Sequence, residues 1–437
     1  VAGVTEGPHR SLLARHRAVM PPWLALYYDE PIELVAGEGR HVVDREGNRY
    51  LDFFGGILTT MVGHAIPEVV EAIRDQAGRL AHSSTLYLSE PMVRLAERIA
   101  SLSTIPDARV FFTTSGTEAN DAALLLATTH RRSNQVLALR NSYHGRSFTT
   151  MAVTGNRAWS ASSLSGLAVG FVHGGYRLRS PFRHLDDAAF IDACVQDLRD
   201  VIDTTTAGDV ACLIAEPVQG VGGFAVPPPG LLGALQRELA PRGILLVVDE
   251  VQTGWGRTGE HFWGFQAHDV VPDVITFAKG IANGLPLGGV IARAEVMSAI
   301  TGNSISTFGG NPVACAAADA TLQYLLDHDL QTNARVQGGR LRAALDDAAA
   351  RCPAVAEVRG VGLMLAVELC HPGGIDPWPD AAAALADACR RRRLLVGKGG
   401  LYGNVVRIAP PLSVTAAEID EGTAALGDAL AEVAAGC

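Results

Sequence analysis

The sequence predicts an α/β fold built on a mostly parallel, helix-covered sheet, and three observations carry that reading. Short apolar runs alternate with helix-like segments from about residue 108 to residue 294, as in strands buried on both faces by crossover helices. Several of these runs lead into Gly/Ser/Thr turns and then a helical pattern, so the chain crosses over rather than doubling back. After about residue 325 the texture changes to long amphipathic segments and short strands, which marks a smaller α+β unit.

Taken in order, the first 60 residues contain "GEGRHVVDREGNRYLDFFGG", a hairpin-like stretch with turn residues in "DREGN". Residues 1–60 are expected to pack with the C-terminal part, residues 61–325 to form the large domain, and residues 326–437 the small one. Six buried strands are predicted: "ARVFFTT" (108–114), "QVLALR" (135–140), "VACLIAE" (210–216), "ILLVVDE" (244–250), "DVITFAK" (273–279) and "GGVIARA" (288–294). Beyond them come the amphipathic "LQTNARVQGGRLRAALDDAAARC", then "VAEVRGVGLMLAVEL", and an Ala-rich helix over 380–392. The short strands "RLLVG" and "NVVRIA" and a final helix from about Thr415 close the chain. Sheets of this kind bind ligands at the carboxyl ends of their strands.

Composition narrows the function. At 437 residues the chain is long enough for two or three domains. It is 48% apolar with no run of 18 apolar residues, which argues against a membrane-spanning helix. The first twenty residues lack the apolar stretch of a secretory signal. A dispersed net charge of −10 argues against nucleic acid or an anionic membrane as partner. The run "RRRR" at 390–393 reads as a solvated helix face. Seven scattered cysteines without CxxC spacing fit a reducing cytoplasm. No cluster has zinc spacing, and no metal is expected; His261 and His268 read as structural.

Of 36 basic residues only two are lysine, Lys279 and Lys398. Arginine stays protonated, whereas a desolvated lysine can lose its proton and attack a carbonyl. Lys279 ends an apolar run; alone, it reads equally as a strand-end lysine whose ammonium reaches solvent. Other strand ends add to it. "FFTTSGTEAND" sets Ser115, Gly116 and Thr117 between a strand and a helix. That is either an anion cradle or a simple N-cap. "ILLVVDEVQTG" ends in adjacent carboxylates, Asp249 and Glu250, on opposite sides of the chain. One of them buried needs a cation or a protonated ring nitrogen beside it. A magnesium site is the rival reading, but it lacks its phosphate-loop partner. "RNSYHGRS" offers Tyr143 either as a stacking face or as a lid on the core. A phosphate cradle, a carboxylate, an aromatic face and a desolvated lysine are together what pyridoxal phosphate requires.

With these residues in place the chain resembles the class III aminotransferases of the fold-type I pyridoxal phosphate enzymes, over nearly its whole length. The matching motifs are "DFFGGILTTMVGHAIPEV", "SGTEAND", "YHG", "EPVQG", "DEVQTGWGRTG", "PDVITFAKGIANGLPLGGV", "STFGGNPVACAA", "RGVGLMLAVEL" and "VRIAPPL". "HSSTLYLSEPM", "HFWGFQAHDVVPD" and "LLVGKGGLYGNVVRIAPPL" look most like the alanine–glyoxylate (type two) branch.

The resemblance implies a role for each position. Lys279 would hold the cofactor covalently and shuttle the proton; Asp249 would keep the pyridine nitrogen protonated. Gln252 would bond the phenolic oxygen, Val251 and Tyr143 would cover the two ring faces, and His144 and Glu216 would complete the cofactor site. Ser115, Gly116 and Thr117 would hold the phosphate, joined by Thr307 from the neighbouring subunit of a homodimer. Arg407 would grip the substrate carboxylate, with Ile57, Leu58 and the partner's Tyr87 forming the pocket wall.

Two positions depart from relatives specific for ornithine or γ-aminobutyrate. Their gating glutamate is replaced by Val221, and the ornithine enzymes' tyrosine by Ile57. The expected activity is transfer of an amino group from an amino acid or amine to a small 2-oxo acid (pyruvate, glyoxylate or 2-oxoglutarate) by a ping-pong mechanism. An aminomutase, an epimerase or a phospho-lyase would use the same lysine and aspartate. A non-catalytic sensor on this fold would need a DNA-binding module, and no basic helix-turn-helix segment precedes residue 30.

Overall fold

The computed structural model describes residues 11–436. Residues 1–10, which open the stretch read for a signal, and Cys437, the seventh cysteine, lie outside the described residues.

After a short helix, Leu12–Val19, come three short strands: β1 (Leu34–Glu38), β2 (His41–Asp44) and β3 (Arg49–Asp52). The turn between β2 and β3 falls in "DREGN", where Asp44 accepts from the amide and the side chain of Asn48, each at 2.8 Å. Gly47 supplies the left-handed corner with φ 83°.

The central sheet contains β4 (Ala108–Thr113), β5 (Gln135–Leu139), β6 (Ala168–Val172), β7 (Cys212–Ala215), β8 (Leu245–Asp249), β9 (Val274–Phe277) and β10 (Gly288–Arg293). Their order is β4-β10-β9-β8-β7-β5-β6. The five strands from β6 to β9 run parallel; β10 is antiparallel to both β9 and β4. Every residue of β7 and β8 is buried, because helices such as Gly116–Arg131 and Leu231–Leu239 pack on the sheet. All six strands expected from apolar runs are present. β6 is an addition: it is an edge strand, and Gly170 at its centre weakens the pattern. A Cβ there would come within 2.8 Å of Leu137.

A further sheet combines β11 (Val355–Val361), β12 (Met364–Leu369), β14 (Gly397–Gly399) and β15 (Val405–Ile408) in the order β11-β12-β15-β14. Between them in sequence, β13 (Leu394–Leu395) leaves to pair in parallel with β3. The last helix, Ala416–Ala435, starts behind a reciprocal Thr415–Glu418 capping box. The "RRRR" run differs from the expected solvated face. Arg390 and Arg391 close the helix Pro379–Arg391, Arg390 pairs with Asp387 at 2.9 Å, and Arg392 pairs with Glu432 at 2.8 Å. Cations suit a helix C-terminus, and the carboxylates of two helices hold them there. Among the described residues no helix is long and apolar enough to cross a membrane.

The direction of β8 turns its two terminal carboxylates apart. Glu250 points away from the edge that Asp249 faces and is fully buried. It accepts from Thr253 Oγ1 at 2.6 Å and from the amides of Gly264 and Phe265 at 3.0 and 2.8 Å. Burial pushes its carboxyl up to about 7. Glu250 therefore pins the turn Gly264–His268 to the sheet. Glu250→Ala should leave three donors unpaired, each costing about 1–3 kcal/mol when buried. Glu250→Gln, which keeps one acceptor oxygen, should cost less. Denaturant midpoints of the two variants check this; equal losses would mean that packing alone matters.

Candidate active site

The carboxyl ends of β4, β7, β8 and β9 emerge at one edge of the central sheet, where they line a cavity of about 340 Å³. Ten of the residues expected at a cofactor meet there: Ser115, Gly116, Thr117, Tyr143, His144, Glu216, Asp249, Val251, Gln252 and Lys279. The segment Ser115–Thr117 opens the helix Gly116–Arg131, so the unpaired amides of its first turn lie at the cavity. Gly116 is required by its neighbour: an added Cβ would sit 3.0 Å from Val251 Cγ1. Behind the loop, Glu118 accepts from the Thr114 amide and hydroxyl at 2.8 and 2.7 Å, and from Ser306 Oγ at 2.7 Å. The loop is thus tied to the segment that carries Thr307.

Asp249 is buried, and its carboxylate is fixed from three directions. Asn120 Nδ2 donates at 2.7 Å, His144 Nδ1 lies at 2.8 Å, and the Val251 amide donates at 3.0 Å. Asn120 in turn accepts from Thr276 Oγ1 at 2.6 Å, and Thr154 Oγ1 accepts from the His144 amide at 3.1 Å. Glu216 is also buried, and accepts from the amides of Tyr143 and Gly220 at 2.9 and 2.8 Å. Burial raises its carboxyl to about 7; Asp249 adds to the rise, while His144 opposes it.

Lys279 begins the 3-10 turn Lys279–Ala282 with φ 49°. A left-handed conformation costs a non-glycine residue about 1–3 kcal/mol and occurs mainly at functional positions. Burial, with Arg407 behind it, pushes the ammonium below the usual lysine range against the opposite pull of Asp249 and Glu216.

Five expected site residues do not line this cavity, among them Leu58, which is buried in a core cluster with Phe54 and Phe224. Arg407 is buried beside it. Its Nε donates to Lys398 O at 3.0 Å and its Nη1 to Gly220 O at 3.3 Å. Phe54 and Phe224 flank it at 5.2 and 5.5 Å. No carboxylate pairs with it among the described residues, and burial pushes its guanidinium below the usual arginine range. Ile57, at φ 69°, is 46% exposed, Tyr87 is 72% exposed, and Thr307 is exposed.

Asn120, Thr276 and Thr154 escaped the sequence reading. Asn120 had one usable signal, a polar side chain on the buried face of an apolar helix. The two threonines had none, since threonine is ordinary at a strand or helix end.

The chemistry of the lining fits pyridoxal phosphate. A phosphate suits the open helix terminus, and a protonated ring nitrogen suits Asp249. Gln252 Oε1 and His144 Nε2, on the same cavity, are buried without a partner among the described residues. The sequence model described as "Aminotransferase class-III" matches residues 27–430. The chain is 38% identical over 411 residues to "Alanine--glyoxylate aminotransferase 2 homolog 2, mitochondrial" of Arabidopsis thaliana, covering 94% of this chain and 85% of that protein. It superposes on an (S)-enantioselective omega-transaminase from Thermomicrobium roseum with TM-score 0.89 and 35% identity, covering 97% of this chain and 98% of the other. An amine transaminase from an uncultivated Pseudomonas species, in a PLP-bound form, matches with TM-score 0.88 and 31% identity over 99% of each chain. A site with this lining, on a chain alike over nearly its full length, has one family: the protein belongs to the class III aminotransferases, pyridoxal-phosphate-dependent enzymes of fold type I.

Proposed function

We propose that this aminotransferase moves an amino group from a carboxylate-bearing donor to a small 2-oxo acid such as pyruvate or glyoxylate. The observation that carries the reading is Arg407, a buried guanidinium next to Lys279 and Glu216 with no ion-pair partner among the described residues. Isolated buried charge is costly, and a carboxylate meets a guanidinium through two parallel bonds. Where the gated relatives have a glutamate this chain has Val221, so Arg407 stays open in both half-reactions.

When bound, pyridoxal phosphate supplies the aldehyde that receives the amino group and a ring that takes up the electron pair as the substrate Cα–H bond breaks. The protein does the rest. Lys279, with its proton affinity lowered, takes the proton from the substrate carbon and returns it on the other side of the exchange. Asp249, locked by Asn120 and His144, holds a proton on the ring nitrogen. Ser115, Gly116 and Thr117 bind the phosphate, Gln252 bonds the phenolic oxygen, and Tyr143 and Val251 cover the ring. Glu216 sits beside the substrate, where burial favours its neutral form and so lowers the negative charge near Lys279.

The reading includes a homodimer with shared sites. Thr307 is exposed away from its own chain's cavity, and Leu86, Tyr87, Leu88 and Phe308 are 60–98% exposed apolar side chains. A patch of this kind calls for a cover. Ile57 and the partner's Tyr87 would then form the substrate wall. The division into residues 1–60 and 326–437 on one side and 61–325 on the other belongs to the same proposal. A reducing compartment such as the cytoplasm is supported by six buried, free cysteines, with amino acid metabolism as the setting.

Lys279→Ala should abolish turnover and the covalent, borohydride-trappable link to the cofactor, read by peptide mass; an adduct on Lys398 would refute the assignment. Arg407→Ala should lower kcat/KM for a 2-oxo acid by about thirtyfold or more, as expected for a lost partner of a buried charge pair. An aldehyde acceptor of similar size should lose far less, and Arg407→Lys should recover only part. Equal losses on acid and aldehyde would place the carboxylate elsewhere. Thr307→Ala should weaken cofactor retention, and in a mixed dimer the loss should appear in the unmutated chain's site. A fully active monomer by sedimentation would contradict shared sites.

A further inference from the structure

The edge that holds the active cavity continues outward to β5 and β6, and a second cavity of about 540 Å³ opens there. The register pairs Leu139 with Val172. The next residues, Arg140 and His173, therefore leave the two parallel strands side by side, and both line the cavity. Arg157, from the turn Arg157–Trp159, and Arg179 complete a lining with four basic side chains and no Asp or Glu. On a chain of net charge −10 this is a local inversion of sign. Strand ends of a parallel sheet are where such folds place ligands.

The four bases are not equally engaged. Arg179 is neutralised by Glu368, to which its Nη2 and Nε donate at 2.7 and 3.0 Å. The His173 amide donates to Asp197 at 2.7 Å. Burial, with Arg140 second, holds the His173 ring below the usual histidine range, while Asp197 pulls the other way. Arg140 and Arg157 remain. Both are exposed, and neither side chain makes a hydrogen bond or ion pair among the described residues. Two unpaired guanidiniums on one cavity repel, and a shared oxyanion replaces that repulsion with charge-assisted hydrogen bonds to both. Phe171 and Leu401 add apolar wall, and the volume exceeds what a bare ion fills.

We propose that this cavity is an accessory binding site for a small multivalent oxyanion, a phosphate ester or a polycarboxylate, held between Arg140 and Arg157. It is separate from the active cavity. The two linings share no residue. Asn141, on this lining, is fixed by its Nδ2, which donates to Gln219 Oε1 at 3.2 Å and to Gly222 O at 3.1 Å. The cavities are linked where Thr154 accepts from the His144 amide at 3.1 Å and where Trp159 touches the Tyr143 ring edge-on at 5.6 Å.

The test is calorimetric titration of the cofactor-loaded enzyme, in which the phosphate cradle is filled, with pyrophosphate and separately with citrate at constant ionic strength. One site per chain is expected for at least one probe; tighter pyrophosphate binding assigns the phosphate class, and tighter citrate binding the polycarboxylate class. Arg140→Gln and Arg157→Gln should each raise the dissociation constant by about tenfold or more, as for a lost partner of a charged hydrogen bond. Arg157→Lys should recover part of it, with melting temperatures confirming that each variant is folded. Arg407→Gln should change it by less than about twofold, since Arg407 does not line this cavity. Binding of neither probe, binding indifferent to both glutamine variants, or binding lost with Arg407→Gln would each overturn the proposal.

Discussion

A carboxylate buried at the end of the central strand has to be held by fixed donors, and two of the three groups that hold Asp249 come from distant parts of the chain. Asn120 arrives on the helix after β4, His144 on the loop after β5, and Val251 from the chain just beyond β8. The Val251 amide reaches Asp249 locally, but Asn120 and His144 reach it only when the strands of the sheet are in register. The charge and the fold are therefore mutually dependent. The sheet brings the donors together, and the donors make it tolerable to end a wholly buried strand in a negative charge. A fixed, desolvated carboxylate is also what would suit the nitrogen of an electron-accepting ring, because no donor must reorganise when charge develops.

The lysine beside it is governed by the same economy of charge. Arg407 and Lys279 oppose each other's positive charge across the site, and Asp249 and Glu216 offset them. Glu216, with its carboxyl near 7, is the adjustable member of this group. On the proposed reading, a substrate carboxylate settling on Arg407 would change the balance by one full charge within a small volume. The buried carboxyl can take up a proton in response.

Much of this was legible before any coordinates. Most of the six core strands were visible because both their faces are buried, so they read as unbroken apolar runs rather than as alternation; β4, at an edge with Arg109 exposed, was visible from its Val110-Phe111-Phe112 run. The lysine, the paired carboxylates and the Ser-Gly-Thr turn stood out because each breaks such a run at its carboxyl end. What stayed hidden obeys a different logic. β6 is an edge strand with a glycine at its centre, so its pattern is weak. Asn120 works through a side chain that meets Asp249 across 129 residues of sequence, a proximity no local pattern encodes. The arginine run 390–393 read as solvated because its partner Glu432 lies on another helix. Arg407 was placed by resemblance alone; nothing in "VVRIA" distinguishes a buried guanidinium from one that lies in solvent.

The parallel pairing of β3 with β13 has a consequence for how the chain is made. β3 ends at Asp52, and its partner Leu394–Leu395 is synthesised only after about 340 further residues. At ribosomal rates of roughly 5–20 residues per second, that interval lasts tens of seconds. For all of it the first sheet emerges with an unsatisfied strand edge, the kind of surface that pairs with whatever strand it meets. The central sheet waits for less, since its longest gap, from β4 to its partner β10, spans about 175 residues. A nascent chain would thus carry a finished core and an unfinished flank, and holding that flank until the last hundred residues arrive is a task for the cell rather than for the sequence.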